Sequence, residues 1–389
     1  MTSSQEKVLA HDRHADQLEQ GRSACGYRAA NTEADLRVLH VLLSGGIGGI
    51  EAHVASLCPA QRELGLASSI VCCFSGGEMT DRLEREGFRV YQCGCKSGHD
   101  PRLPFRLQRV VRAVRPHVLH FHSLPLAGAP ISWFCGAATV LTIHLVALAP
   151  RDRVVLSAYG PAVRGVIAVS PEVMAAYAEA DVLRGAAWQV ISNGVEAGVF
   201  YPASEWKPPS PTPGLIAVGR VEADKQVEDT IEAFALLRRG GHDVRLRVVG
   251  DGSQLPCLKA LAQARNLGDA VEFLGRRIEV AELMRSSDAL VLTSQAETFG
   301  LVALEAMACG VPVVAYPMRG GINSWMKDGQ NAVICGSRSP AALAQALKAL
   351  LGDAGRLQRL RDAGLCTARQ FSAANTARLT LSFYRQVCD

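Results

Sequence analysis

The sequence predicts an α/β protein with two similar parallel-sheet domains that face each other across a cleft. From residue 36 onward, short aliphatic runs alternate with stretches of helical period, a pattern typical of parallel strands covered by helices. The alternation stops once, in a proline-rich segment at 202–213, and then resumes. The length of 389 residues also suits two domains of roughly 100–200 residues each.

Composition and charge narrow the class of protein. Hydrophobic residues make up 48% of the chain, which is enough for buried cores and excludes a disordered chain. No run reaches the ~18 apolar residues of a membrane-spanning helix, and residues 1–20 lack the apolar core of a signal peptide. A net charge of +4 gives no basis for binding nucleic acid. We therefore expect a soluble cytoplasmic protein without a nucleic-acid partner.

The twelve cysteines need a separate interpretation. They form no C-x-x-C pair, and Cys93 and Cys95 have no second half at zinc-finger spacing. Cys72 and Cys73 lie in an apolar run that reads as a buried strand. We expect free thiols that act as small apolar residues rather than a metal or redox centre.

The first predicted domain spans 36–201 and follows a polar segment, 1–35, that we expect to be a mobile extension. Its strands are apolar on nearly every residue, so each should be buried on both faces of a sheet. They are LRVLHVLL at 36–43, SSIVCCF at 68–74, FRVYQC at 88–93, HVLHFH at 117–122, ATVLTIH at 138–144 and GVIAVS at 165–170.

The second predicted domain spans 214–370 and follows the linker. Five prolines in 202–213 can neither continue a helix nor join a central strand, so this segment reads as a stiff connection. The strands of the second domain are LIAVG at 215–219, RLRVVG at 245–250, VEFLG at 271–275, ALVLT at 289–293 and VPVVAY at 311–316. Segments of helical period close the chain, the last of them at 371–389.

The most informative stretch is TSQAETFGLVALEAMACGVPVVAY at 293–316. It predicts a loop carrying Glu297 and a helix, from about Gly300, carrying Glu305. Free backbone N–H groups at the start of that helix favour an anion, whereas carboxylates suit the hydroxyls of a sugar or ribose. For Glu297 taken alone we favour a simpler explanation, an acidic residue placed at a helix N-terminus for its dipole.

Two further loops follow predicted strands. Gly219 begins the segment GRVEADK, in which Arg220 and Lys225 are placed to neutralise a diphosphate, unless they are ordinary surface charges. The other loop, SGGIGG at 44–49, includes Gly48 and Gly49 and would allow a ligand to approach the backbone. A tight strand-to-helix turn explains these glycines about as well.

Polar residues at other strand ends are weaker candidates. His144 is read about equally as a cleft residue and as a structural histidine. For His120 and His122 we favour a structural role. Asn193 lies in ISNGVE, which reads first as a turn and could also border the cleft.

Taken together, these stretches resemble glycosyltransferase family 4, the retaining enzymes of the GT-B fold also known as glycosyl transferases group 1. The segment from Glu297 to Glu305 is similar to the family's E-x7-E segment almost residue for residue. GRVEADK, GGIE at 48–51, ISNGVE and GDG at 250–252 match supporting motifs in the same order. The resemblance covers about residues 36–388 and implies a C-terminal helix that crosses back to the first domain.

The resemblance also implies a role for each matching residue. Arg220 and Lys225 would hold the nucleotide diphosphate as it leaves, and Glu305 would take the ribose hydroxyls. The donor sugar would be held by one carboxylate and three amides, those of Glu297, Phe299, Gly300 and Leu301. The remaining donor-side positions are Gly48, Gly49, Gly219, Asn193 and His144, of which His144 would face the transferred sugar.

The implied reaction moves a hexosyl unit from a nucleotide sugar to an acceptor hydroxyl, with the donor phosphate as base and no dedicated nucleophile. The chain has no D-x-D motif, so we expect neither a metal ion nor another cofactor. Two departures stand out. Gln226 replaces the glycine that usually follows the lysine, and Asn323-Ser324 replace the usual Pro-Glu after Gly-Gly-Ile.

The acceptor is left open by the sequence. Arginines recur at helical spacing in 102–115, so this helix could rest on an anionic membrane, although an ordinary solvated face explains it slightly better. Membrane contact would favour a saccharide or lipid-linked acceptor in bacterial polysaccharide or lipopolysaccharide assembly. Otherwise a soluble small molecule is the alternative acceptor. A nucleotide-sugar epimerase of the same fold and an inactive sugar-nucleotide binding protein are the rival functions.

Overall fold

Two separate parallel sheets form the framework of the protein in a computed structural model that describes residues 36–145, 148–180, 182–205 and 211–389. The predicted N-terminal extension, 1–35, lies outside the described residues, as do 206–210 of the predicted linker. All strand pairs in both sheets are parallel. The predicted fold of two parallel-sheet α/β domains is therefore confirmed.

The first sheet has seven strands in the order β3-β2-β1-β4-β5-β6-β7. The strands are β1 Arg37–Leu42, β2 Ala67–Cys72, β3 Arg89–Gln92, β4 Val118–Phe121, β5 Ala138–Ile143, β6 Val163–Ala168 and β7 Ala187–Val190. The helices between them are α1 Gly49–Glu63, α2 Glu78–Arg85, α3 Leu103–Val114, α4 Ala129–Phe134, α5 Pro150–Tyr159 and α6 Pro171–Glu179. Every residue of β4 and β5 is buried, because helices cover both faces of the sheet.

The second sheet has six strands in the order β10-β9-β8-β11-β12-β13. They are β8 Gly214–Val218, β9 Arg245–Val249, β10 Val271–Gly275, β11 Ala289–Leu292, β12 Val313–Ala315 and β13 Val333–Ile334. The helices of this half are α7 Val227–Arg239, α8 Leu255–Ala264, α9 Ala281–Arg285, α10 Leu301–Ala308, α11 Pro340–Leu351 and α12 Ala354–Gln370. In both sheets the strand order reverses beside the first strand, which is where ligands bind in open α/β sheets.

The last helix, α13 Ala373–Cys388, packs on the first domain although it follows the second. It contacts α1, and Phe383 and Tyr384 on its inner face are fully buried. The Tyr384 hydroxyl lies 2.6 Å from His120 Nδ1 of β4. A Cβ atom on Gly165 of β6 would come within 2.8 Å of the Phe383 ring, so only glycine admits this packing. The predicted crossing of the C-terminal helix is confirmed.

Two further observations bear on the sequence predictions. None of the described cysteines forms a disulfide, and eight of them are buried, as expected for small apolar residues. Within the described ranges, no helix is both long enough and apolar enough to cross a membrane.

Truncating Phe383 to alanine should lower the free energy of unfolding by about 3–5 kcal/mol, because the change leaves a cavity under α13. Urea unfolding followed by circular dichroism measures the loss. Leu379 on the same helix is 38% exposed, so L379A is the matched control and should cost less than about 1 kcal/mol. Equal losses in the two variants would contradict the packing of α13 described above.

Candidate active site

A cavity of about 600 Å³ lies where the carboxyl ends of the two sheets face each other. Loops after β1, β8, β9 and β11, together with α10, supply most of its wall. Eight of the twelve predicted site residues line it. They are Gly48, Gly49, Gly219, Arg220, Lys225, Glu297, Leu301 and Glu305. The cavity wall does not include the other four, His144, Asn193, Phe299 and Gly300.

Lys225 is an anchored cation of the cavity. Its Nζ lies 2.6 Å from Glu297 Oε1, and the Ser294 hydroxyl donates to the same oxygen at 2.7 Å. Both members of the ion pair are less than one-fifth exposed. Arg220 is different, because its side chain is 60% exposed and pairs with Asp224 at 3.1 Å. Lys225 is therefore a fixed positive charge in the cavity, whereas Arg220 is free to reorient.

The loop after Lys225 depends on an unusual backbone conformation. Gln226 has a φ of +47°, in the left-handed region that glycine adopts most easily. Its side-chain oxygen accepts a hydrogen bond from the Arg338 guanidinium, which also donates to the carbonyl oxygens of Thr293 and Ser294. Arg338 thus ties the Gln226 turn to the loop that leads to Glu297.

The N-terminus of α10 supplies backbone donors to the cavity. The first N–H with a partner inside the helix is that of Ala303, which donates to the Gly300 carbonyl at 3.0 Å. Leu301 and Val302 precede it, and both line the cavity. Their amides lie at the positive end of the helix dipole, a position that favours an anion. Gly300, at φ +78°, is required here because a Cβ atom would overlap the Ile322 side chain.

Glu305 lies one turn further along α10 and also lines the cavity. Its carboxyl group makes no hydrogen bond or ion pair with any residue that the structure describes. Burial raises the pKa of this carboxyl to about 7. A carboxylate with all its acceptor positions available is suited to bind ligand hydroxyls.

Close contacts between two glycines hold the strand-end loops of β8 and β9 together. Gly219 and Gly250 have φ values of +150° and +144°, and a Cβ atom on Gly250 would overlap the Gly219 carbonyl oxygen. The Val221 N–H donates to the Asp251 carbonyl at 2.9 Å in the same region. Because these contacts hold the two loops together, the backbone that carries Arg220 is fixed in position.

The four predicted residues outside the cavity wall have other surroundings. Phe299 is buried against Trp325 and Phe371, and its carbonyl accepts a hydrogen bond from Trp325 Nε1 at 3.0 Å. Asn193 is buried, and its side-chain oxygen has no partner among the described residues. Gly300 caps α10, as described above. His144, half-buried after β5, lies with its Nε2 3.4 Å from His122 Nδ1.

Four arginines at or near the cavity were not singled out from the sequence. Arg82 of α2 lines the cavity and makes two hydrogen bonds, of 2.8 and 2.7 Å, to the Glu196 carboxylate. Arg276 and Arg277 after β10 also line it. Arg338 stands in the turn before α11. None of the four belongs to a motif, although Glu196 is the last residue of ISNGVE.

Two family models match the chain in succession. "Glycosyltransferase Family 4" matches residues 47–198 and "Glycosyl transferases group 1" matches 204–365. Each covers one domain of the structure.

Curated relatives match part of the chain. Glycogen synthase of Mycobacterium tuberculosis is 37% identical over 172 residues, which are 44% of this chain and 41% of the relative. D-inositol 3-phosphate glycosyltransferase of Stackebrandtia nassauensis is 36% identical over 212 residues, or 50% of this chain and 48% of the relative. The chain therefore spans about half the length of the curated relatives it matches.

Solved structures match nearly all of the described fold. Anabaena HepE, in complex with UDP and glucose, superposes with a TM-score of 0.77 at 21% identity. The superposition covers 90% of this chain and 99% of HepE. At this identity the likeness establishes the two-domain fold.

The raised pKa of Glu305 predicts a pH dependence of stability. The carboxyl group stays protonated in the folded chain up to about pH 7, but in the unfolded chain it ionises above its ordinary pKa. Its contribution to stability is therefore full at low pH and is lost as the pH rises toward 7. Glutamine cannot ionise, so E305Q should match the wild type at pH 4.5 and exceed it by about 1–3 kcal/mol at pH 8.

Urea unfolding at the two pH values tests this prediction. Glu279 is exposed, so E279Q serves as the control and should show no such pH-dependent gain. A stability difference between E305Q and the wild type that stays constant from pH 4.5 to 8 would contradict the raised pKa.

Proposed function

The chain belongs to glycosyltransferase family 4, and we propose that it transfers a hexosyl unit from a nucleoside-diphosphate sugar to an acceptor hydroxyl. We further propose that the anomeric configuration is retained, as the family resemblance implies. One observation supports the proposal most strongly. A fixed cation, a helix N-terminus and two carboxylates, one in the loop before α10 and one on α10 itself, converge on one cavity large enough for a nucleotide sugar.

The first role in this mechanism is stabilisation of the leaving diphosphate. Negative charge develops on the diphosphate as the glycosidic bond breaks, and preorganised positive groups lower the barrier. Lys225 is held by Glu297 and needs little reorganisation, whereas the exposed Arg220 can turn toward the phosphates. The amides of Leu301 and Val302 add the positive end of a helix dipole. We propose no metal ion for this step, because these groups neutralise the charge.

The second role is recognition of the donor. Glu305, which has no partner among the described residues, is proposed to accept hydrogen bonds from the ribose hydroxyls in its ionised form. Glu297 and the amides at the start of α10 are proposed to hold the sugar. Gly48 and Gly49 leave space for the phosphates beside the first domain. His144 is proposed to approach the sugar from the carboxyl end of β5. A solved relative, HepE, is described with UDP-glucose, which makes UDP-glucose a reasonable first donor to test.

The acceptor side is proposed to lie at a membrane surface on the cytoplasmic face. Large apolar side chains on α3 and α4, which pack on each other, are exposed: Phe105 is 76% exposed and Phe134 is 80% exposed. Arg109 and Arg112 are exposed on the same basic helix. Aromatic side chains flanked by arginines suit an anionic leaflet. This surface supports a saccharide or lipid-linked acceptor in cell-surface polysaccharide assembly.

Lys225→Ala should lower transfer from the cognate donor by about 100-fold or more, because a preorganised cation is lost. A panel of nucleotide sugars starting with UDP-glucose is screened first by thermal shift, and transfer is then measured by release of the nucleoside diphosphate.

Glu305→Ala should abolish the thermal stabilisation of the protein by the nucleotide sugar, since the ribose hydroxyls lose their acceptor. Lys348 is exposed on α11, so K348A is the control. Near-normal transfer in both site variants would refute the assignment.

Flotation with vesicles tests the membrane proposal. The wild-type chain should float with vesicles of anionic phosphatidylglycerol and remain at the bottom with neutral phosphatidylcholine. The double variant F105S/F134S should lose most of its retention, whereas L379S, which alters an exposed leucine on α13, should keep it. Failure of the wild type to float would favour a soluble small-molecule acceptor.

A further inference from the structure

Five histidines meet at the carboxyl ends of β1, β4 and β5, next to α1. Neighbouring rings have centroids 4.1–5.7 Å apart. Four of the five are buried, and the fifth is half-buried. The five are His40, His53, His120, His122 and His144. The proposed transfer reaction uses only His144, so the other four need a separate explanation.

Hydrogen bonds define which nitrogens of two rings carry a proton. Gln61 Oε1 can only accept, so His40 Nε2, 2.9 Å away, donates to it. His40 Nδ1 is then the unprotonated nitrogen of a neutral ring and accepts from His122 Nε2 at 3.0 Å. It follows that His122 Nδ1 carries a lone pair. That lone pair faces His144.

His120 does not take part in this arrangement. Its Nδ1 lies 2.6 Å from the Tyr384 hydroxyl and its Nε2 lies 2.6 Å from the Thr142 hydroxyl. Both ring nitrogens therefore have partners. The ring nitrogens of His40 and His120 are therefore all satisfied by hydrogen bonds within the fold.

The group of His53, His122 and His144 is different. Each ring offers one nitrogen, and the three nitrogens lie within 4.8 Å of one another. The side chain of His53 is only 4% exposed, and it makes no hydrogen bond with any described residue. Its ring nitrogens are therefore available to a ligand. This ring contacts both His122 and His144, with centroid separations of 5.5 and 5.2 Å.

The spacing of two of these three nitrogens suits a tetrahedral ion. His122 Nδ1 and His144 Nε2 are 3.4 Å apart, which is long for a hydrogen bond. Two nitrogens bound to one tetrahedral Zn²⁺ at about 2.0–2.1 Å lie ~3.4 Å from each other. The hydrogen bond from His122 to His40, and from His40 to Gln61, supplies the outer partner that metal-binding histidines ordinarily have.

We propose that His53, His122 and His144 bind a divalent transition-metal ion, with Zn²⁺ as the first candidate. Imidazole suits Zn²⁺, and three protein ligands leave the fourth position open to water. The ion would join α1 to the ends of β4 and β5 and so anchor the helix that begins at Gly49, in the cavity wall. His144 binds through Nε2, which leaves its Nδ1–H free to face the sugar.

Metal retention tests this proposal without donor or acceptor, so the outcome does not depend on the proposed transfer reaction. The full chain, made without a polyhistidine tag, is stripped with a chelator, exposed to Zn²⁺ and passed through gel filtration. Elemental analysis should find about one ion per chain. Loading with Co²⁺ instead should give the visible absorption of a tetrahedral site.

Two ligand variants and one control complete the experiment. Loss of the hydrogen-bond partner of a metal ligand typically lowers metal affinity by about 10–100-fold. Because H53N and H144N each remove a ligand itself, they should lower the affinity for Zn²⁺ by more than that. His99 is exposed, so H99N should retain the ion. Circular dichroism establishes that the variants fold, and H144N, at a half-buried position, remains informative if H53N does not. No bound Zn²⁺ in the wild type, or equal retention by H144N and H99N, would overturn the proposal.

Discussion

The parallel direction of every described strand is the constraint on which the rest of the structure depends. In a parallel sheet all carboxyl ends lie at one edge, so the loops that follow them are brought together regardless of their distance in sequence. Here two such edges face each other, and the loops after β1, β8, β9 and β11 enclose one cavity. The cavity wall is therefore built largely from these loops and from the starts of the helices that follow them, while the strands serve as a buried support.

The electrostatics of the cavity combine one satisfied charge pair with one unsatisfied carboxyl group. Lys225 and Glu297 pair at 2.6 Å and stay in place, which preorganises a cation for the proposed diphosphate. Glu305 has no such partner among the described residues, and burial raises its pKa. Glu305 is half-buried, and a ligand that donates hydrogen bonds to its carboxyl group would account for its position at the cavity.

The C-terminal helix couples the two domains through the connection at Phe371 and Ser372. Phe371 contacts Phe299 beside α10, whereas α13 packs on α1 of the first domain. The Val195 N–H and carbonyl bond to the backbone of Phe371 and Ala373 at 2.8 and 2.9 Å. Thus the loop before α10, the ISNGVE segment and α13 meet at one place. The Phe299 side chain packs against Phe371 and Trp325, which is why it is not part of the cavity wall.

The hydrophobic periodicity of the sequence and its turn residues were enough to predict most strands and helices and the parallel arrangement of the sheets. Apolar runs such as those of β4 and β5 predict strands buried on both faces, and their alternation with helices predicts parallel sheets. The motif from Glu297 to Glu305 placed two carboxylates around the start of α10. These features are local, because neighbours in sequence decide them.

Other features arise only when distant segments pack together. Arg338 binds the loop of Thr293 and Ser294, and Arg82 binds Glu196, yet neither arginine belongs to a recognisable pattern. His53, His122 and His144 come from three separate elements of the fold, so no spacing in the sequence indicates that they lie together. The burial that raises the pKa of Glu305 and lowers that of His144 is likewise a property of the assembled core. Tertiary packing alone decides this burial, because the desolvation of a group depends on the atoms that surround it and not on its neighbours along the chain.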